Sequence, residues 1–213
     1  MRLRKKHFAI PEMKENPFVF YDGEKYKGKW MEVFENNNPI YLELGAGKGT
    51  FTAQSAMDNP NINYIMVEME SNAFIYGTRK ILEYKLTNVR ALPIKAENIL
   101  NYFEDEEISR IYINFCTPWP KLKHQKRRLT YPDFLKKYKV ILKDGGDIYL
   151  KTDDRDFFED SLKYFEDQRF MEVLRDFDMK EEEYPLNIVT EYERKWRDQN
   201  KPICFGVFEK YVD

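Results

Sequence analysis

Ile40-Tyr41-Leu42-Glu43-Leu44-Gly45-Ala46-Gly47-Lys48-Gly49 carries the chain from a short apolar strand through a glycine turn into a helix. Glycine tolerates the left-handed backbone of such a turn and lets a ligand come close to the main chain. The spacing is GxGxG, which is neither the GxGxxG of dinucleotide binders nor a Walker P-loop. Outward from this point, apolar runs alternate with helical periodicity. Strands are expected over residues 40–44, 63–67, 89–94, 108–114 and 147–151, with two late ones over 170–177 and 203–212. Helices are expected from the glycine turn to 57 and over 70–85, 97–103, 131–142 and 155–167, with Asp144-Gly145-Gly146 closing the fourth of them. This alternation describes an α/β protein with a mostly parallel sheet, whose ligands gather outside the strand C-termini. Gly45, Glu68, Lys95, Asn114 to Thr117 and Asp153 all follow strands on that edge.

Bulk properties narrow the class. A length of 213 residues suits one well-cored domain. Residues 39–213 read as that domain, and residues 1–38 as a basic arm followed by a lead-in helix over 28–35. No apolar run approaches the roughly 20 residues of a membrane span, and the basic N-terminus lacks the apolar core of a signal peptide. With 2 Cys in no metal-binding spacing and 2 His, a zinc site is not expected. The chain therefore reads as cytoplasmic, reduced and metal-free. Net charge is −2, yet the basic residues are segregated, at Arg2 to Lys6 and again at Lys121 to Arg128. A local potential of that kind steers polyanions even when the whole protein is acidic.

The second informative stretch is Asn114-Phe115-Cys116-Thr117-Pro118-Trp119-Pro120-Lys121-Leu122-Lys123-His124-Gln125-Lys126-Arg127-Arg128-Leu129. Proline disfavours helix in the residue before it, so Thr117 and Trp119 are expected to be extended. The turn presents an indole and five basic side chains at a strand end, a combination suited to an unstacked base and its phosphates. Trp119 either stacks on a base or packs under the loop. Cys116 reads as a buried strand-end residue, since no histidine neighbours it in sequence to make it a nucleophile. In the first stretch, Glu43 precedes the glycines and Glu68 ends the second strand, where a carboxylate accepts bonds from ribose hydroxyls. Acids at both positions favour S-adenosylmethionine over a nicotinamide cofactor.

Taken together, these blocks closely resemble the bacterial tRNA (guanine-N7)-methyltransferases. The likeness rests on Asn114 to Leu129, Glu43 to Gly49, Glu68, Lys151-Thr152-Asp153 and Thr190-Glu191-Tyr192-Glu193 with Lys195-Trp196 behind it. It implies a Rossmann-like class I methyltransferase fold with helices on both faces of the sheet. It also implies methyl transfer from S-adenosylmethionine to N7 of guanine 46 in the variable loop of tRNA; the sequence leaves monomer and homodimer both open. By this resemblance Glu43, Gly45, Gly47, Glu68 and Asn114 bind the cofactor. Lys121, Asp153, Thr190, Glu191, Tyr192 and Glu193 bind substrate, and Lys123, His124, Lys126, Arg127 and Arg128 contact RNA. Two positions depart from the pattern. The family's catalytic aspartate is Thr117 here, and its aspartate after the third strand is Lys95, with Glu97 as a candidate replacement acceptor. These departures motivate a second reading, an RNA-binding protein that has lost catalysis on the same scaffold. A base-amino methyltransferase is a third, but its Pro-Pro-aromatic turn is missing.

Overall fold

The computed structural model describes residues 6–184 and 187–211. It is a mixed α/β structure with a seven-stranded sheet, and the chain packs as two compact units that divide between Phe103 and Glu104. Arg2, Arg4 and Lys5 of the basic arm lie outside the described residues.

In the first unit the strands β1 (Ile40–Leu44), β2 (Asn63–Val67) and β3 (Val89–Leu92) pair in parallel in the order β3-β2-β1. Almost every residue of the three is buried, as in parallel strands covered on both faces. The helix α3, Thr50–Asp58, connects β1 to β2, and α4, Ser71–Glu83, connects β2 to β3. Leu92 ends β3 two residues before the expected limit, because Pro93 has no N–H to continue the ladder. The lead-in region holds more structure than one helix. The segment Ala9–Glu15 forms α1 against α4, Gly23–Tyr26 makes a 3-10 turn, and Trp30–Phe34 forms α2. Trp30 is wholly buried, donates to Tyr102 O at 2.8 Å and packs among Phe20, Tyr26 and Phe103. Between these helices the chain runs beside β3. There Phe20 N donates to Ala91 O and Ala91 N to Phe18 O, both at 2.9 Å, making a parallel bridge at Val19.

In the second unit β4 (Ile108–Asn114) pairs in parallel with β5 (Leu142–Thr152). On the far side of β5, β7 (Cys204–Lys210) runs antiparallel, and β6 (Phe170–Asp176) is antiparallel to β7. The order is β4-β5-β7-β6. The helices α5, Pro132–Ile141, and α6, Arg155–Asp167, bury Phe134, Tyr138, Phe157, Phe158 and Phe165. Phe165 stacks face to face on Phe208 of β7 with ring centroids 3.8 Å apart. One expectation fails here. Asp144-Gly145-Gly146 does not close a helix, because α5 stops at Ile141 and the glycines lie inside β5. Register jumps from Ile108↔Leu142 to Arg110↔Asp147, a bulge that Gly145 accommodates at φ 70°. A side chain on Gly146 would stand 2.8 Å from Lys143 O. A second register shift falls on β6 between Glu172 and Leu174. A helix that the sequence reading lacked, α7 (Glu191–Arg197), precedes β7.

Candidate functional site: the strand ends of the two units

The glycine turn of the first unit is built on the end of β2. Gly45 N and Ala46 N both donate to Val67 O, at 2.9 and 3.0 Å. Gly45, Gly47 and Gly49 have φ of 74°, 55° and 65°, all in the left-handed region that a side chain resists. Gly47 faces open space, with no atom within 4 Å of where a Cβ would stand. Gly49 is the opposite case, since its Cβ would meet Gly77 Cα of α4 at 2.8 Å. Glu68 ties the two strand ends together, accepting from Gly47 N at 3.1 Å and Glu70 N at 2.7 Å. A carboxylate accepts about four hydrogen bonds, so lone pairs remain for hydroxyls. Glu43 is buried and accepts from the Thr52 hydroxyl at 2.6 Å, fixing the first turn of α3. Lys95 and Glu97 both follow β3 and are exposed, on either side of the start of a 3-10 helix, Ala96–Asn101. The structure thus brings Gly47 and Glu68 together, seats Glu43 behind them and leaves Lys95 and Glu97 open to solvent.

In the second unit β4 ends at Asn114, half-buried opposite Lys151. The chain then kinks, with Phe115 at φ 49° and Trp119 at φ 45°. Trp119 is therefore not extended as expected. The turn folds back on the residues that follow it, and the indole lies edge-on to His124 at 5.7 Å with the Arg127 guanidinium 5.0 Å from its centroid. Left-handed non-glycine residues store strain and gather at functional sites. Thr117 lies between the two and is exposed. Cys116 is half-buried rather than buried, and loss of hydration pushes its thiol up to about 12, which disfavours the thiolate.

The basic stretch is a 3-10 helix, Leu122–Arg127, with Lys121 at its start. Lys121, Lys123, Lys126 and Arg127 are exposed and His124 is half-buried. Arg128, which was expected to contact RNA, is 3% exposed. Its guanidinium donates to Pro118 O at 2.8 Å and pairs with Asp160 at 2.7 Å, so it braces the turn from within. Asp153 follows β5, half-buried, with Lys201 at 3.5 Å. Thr190 caps α7 by accepting from Glu193 N, and Glu191 and Tyr192 are exposed. Glu193 was expected to bind substrate but is wholly buried. Burial alone would raise its carboxyl, yet Lys151, Arg197 and Asn187 outweigh that and hold it below its ordinary value. The capping pattern Thr190-x-x-Glu193 is the sequence signal by which α7 was detectable. Lys151, whose ammonium lies 2.6 Å from Glu193, carried no such local signal. Among the described residues no cluster of three or more His, Cys, Asp or Glu is placed to hold a metal ion.

Comparison with known proteins places this architecture. A family model described as "Putative methyltransferase" matches residues 37–205. A tRNA (guanine-N(7)-)-methyltransferase of Desulfitobacterium hafniense is 46% identical, with 98% of each chain covered. One of Clostridium tetani is 47% identical over 96% of this chain and 97% of its own. Among solved structures, the 16S rRNA methyltransferase KamB superposes with a TM-score of 0.66 at 12% identity, covering 85% of this chain and 92% of that one. An antibiotic-related methyltransferase gives a TM-score of 0.65 at 16% identity, over 87% and 94%. The structural likenesses bear on the fold alone and agree with the Rossmann-like methyltransferase architecture. The sequence likenesses run through the glycine turn, the Pro-Trp-Pro turn and the cationic helix alike, and by them the chain belongs to the bacterial tRNA (guanine-N(7)-)-methyltransferase family.

Proposed function

We propose that the protein is a tRNA (guanine(46)-N(7))-methyltransferase, carrying a methyl group from S-adenosylmethionine to N7 of a variable-loop guanine. The observation that carries the reading is the strained turn after β4, which presents Thr117 and opens directly into a helix with four exposed cations at its start and along it. The names of the curated relatives agree with it. S-adenosylmethionine, when bound, supplies an electrophilic methyl on a sulfonium centre. The residues present fit such a group. Gly47 leaves room beside the backbone, and Glu68 keeps acceptor capacity at the end of β2. Gly45, Gly47 and Glu68 would hold it, with Glu43 supporting the turn from behind, Lys95 and Glu97 after β3, and Asn114 at the end of β4.

Guanine N7 already carries a free lone pair, so no group has to remove a proton and no metal is needed to activate the nucleophile. The protein's task is alignment, worth roughly 7–11 kcal/mol in favourable cases. Lys121, Asp153, Thr190, Glu191 and Tyr192 are assigned to the guanosine, and Lys123, His124, Lys126 and Arg127 to the surrounding phosphates. The Thr117 hydroxyl accepts a hydrogen bond from a guanine N–H. The methylated ring becomes positive, and a carboxylate facing it lowers the barrier. Glu193 is wholly buried between Lys151 and Arg197, whereas Asp153 is partly exposed with only Lys201 beside it at 3.5 Å, which leaves Asp153 for that role. The reading places the protein in the cytoplasm as a monomer or homodimer. Among the described residues no helix is long and apolar enough to cross a membrane.

The test is methyl transfer to unmodified tRNA with mapping of N7-methylguanine, for the native protein beside Thr117→Asp. The native protein should methylate, and Thr117→Asp should do so on the order of 100-fold faster. An unchanged rate would refute the electrostatic argument. Activity confined to Thr117→Asp would mean a binding scaffold without catalysis.

A further inference from the structure

A buried ion pair, Lys151 with Glu193, joins the end of β5 to α7. Lys151, the penultimate residue of β5, is 4% exposed. Its ammonium donates to Glu193 Oε2 at 2.6 Å, Asn187 Oδ1 at 2.7 Å and Ile188 O at 3.1 Å. The other Glu193 oxygen accepts from Asn187 at 3.0 Å and from both Nε and Nη2 of Arg197, at 2.9 and 2.7 Å. Arg197 in turn donates to Met179 O at 3.1 Å. The Lys151–Glu193 pair joins β5 to α7 directly, the two Arg197–Glu193 bonds lie within α7, and the bonds to Asn187, Ile188 and Met179 tie these elements to the irregular chain beside them.

Burying an ion pair is a poor way to gain stability, since well-packed apolar residues often do as well or better. What a buried, hydrogen-bonded pair offers is a single allowed geometry. Here that geometry links two pieces of the proposed substrate surface. Asp153 lies two residues beyond Lys151, and Thr190 to Tyr192 lie immediately before Glu193. We propose that Lys151, Glu193 and Arg197 are positioning residues that lock α7 and its leading turn to the end of β5, so that Asp153 and Thr190 to Tyr192 meet the tRNA in one fixed arrangement. This rests on the tRNA reading above and replaces the substrate contact expected of Glu193 itself.

The experiment compares native protein, Lys151→Met, Glu193→Gln and the milder Arg197→Gln, which acts at the partly exposed rim if the first two fail to fold. Three quantities are read: amide hydrogen exchange, S-adenosylmethionine affinity by calorimetry, and tRNA Kd by filter binding with KM and kcat beside it. Exchange over 187–197 should quicken roughly tenfold while the amides of β4 to β7 keep their protection. The tRNA Kd and KM should rise roughly tenfold, with cofactor affinity unchanged. Native exchange over 187–197, a general loss of protection across the unit, or an unaltered tRNA Kd would each overturn the proposal. A native protein that binds tRNA and methylates nothing would instead refute the activity, while the exchange and binding readouts still decide the positioning role.

Discussion

Position 117 sits between two residues whose backbones are held where side chains are rarely found, Phe115 and Trp119. Each such residue costs on the order of 1–3 kcal/mol, and the cost is met by contacts around it. Arg128 is the clearest of these, a cation that sequence alone assigns to RNA and the structure assigns to Pro118 and Asp160. Nothing local distinguishes Arg127 from Arg128, because burial is decided by α6, about 30 residues downstream. The same holds for Glu193, assigned to substrate by resemblance, whose ion pair lies with a residue 42 positions away in sequence. Glu193 also gives a pH dependence. Its carboxyl is held below 4.5 in the folded chain, so the stability it contributes is present above that value and is lost as pH falls. Glu193→Gln should cost about 3 kcal/mol near neutrality. In denaturant titrations across pH, the gap to the native protein should close as pH falls below about 4.5. A gap that stays constant would show that the carboxylate contributes no charge-dependent stability.

Elements whose signal lies in their own residues were readable in advance. The strands β1, β2 and β4 are runs dense in apolar residues, and α6 carries both a cap at Asp154 and an apolar stripe, so their limits follow from composition and period. The bulge in β5 was not readable, because Asp-Gly-Gly has the same local chemistry whether it ends a helix or bends a strand. Only pairing with β4 decides between them. The cofactor turn shows how tightly two elements can be matched. Gly49 and Gly77 let the start of α3 touch α4 backbone to backbone. Gly49→Ala adds a clash to a left-handed φ of 65° and should destabilise the protein by about 1–3 kcal/mol. Thermal denaturation of the variant would show this as a lowered Tm, and an unchanged Tm would mean that α4 shifts freely.

For the whole molecule, acidic overall charge and a polyanionic partner are compatible because the cations are concentrated. With exposed Lys123, Lys126 and Arg127 each meeting a phosphate, tRNA affinity should fall roughly 20- to 40-fold between about 50 and 200 mM salt. Arg127→Ala should reduce the slope of log affinity against log salt by about 0.7–0.9 and leave the fold intact. Filter binding across a salt series reads both, and a flat series would exclude electrostatic docking through this helix. The α/β class was legible from strand and helix alternation, while the antiparallel placement of β6 and β7 depended on long-range pairing that no local pattern encodes.

One consequence of the lead-in chain concerns the company the protein keeps. A terminal strand with free amides and carbonyls is a template on which a second molecule can add itself, the first step toward fibrous aggregates. Residues 18 to 20 occupy that template along β3, and the irregularity at Glu172/Leu174 spoils it along β6, where Met171 and Val173 are open to solvent. The stretch between the first two helices thus acts as a cover for the edge of β3, and shortening the N-terminus past residue 20 would expose that edge together with the core face on which Ala9 and Met13 of α1 are buried.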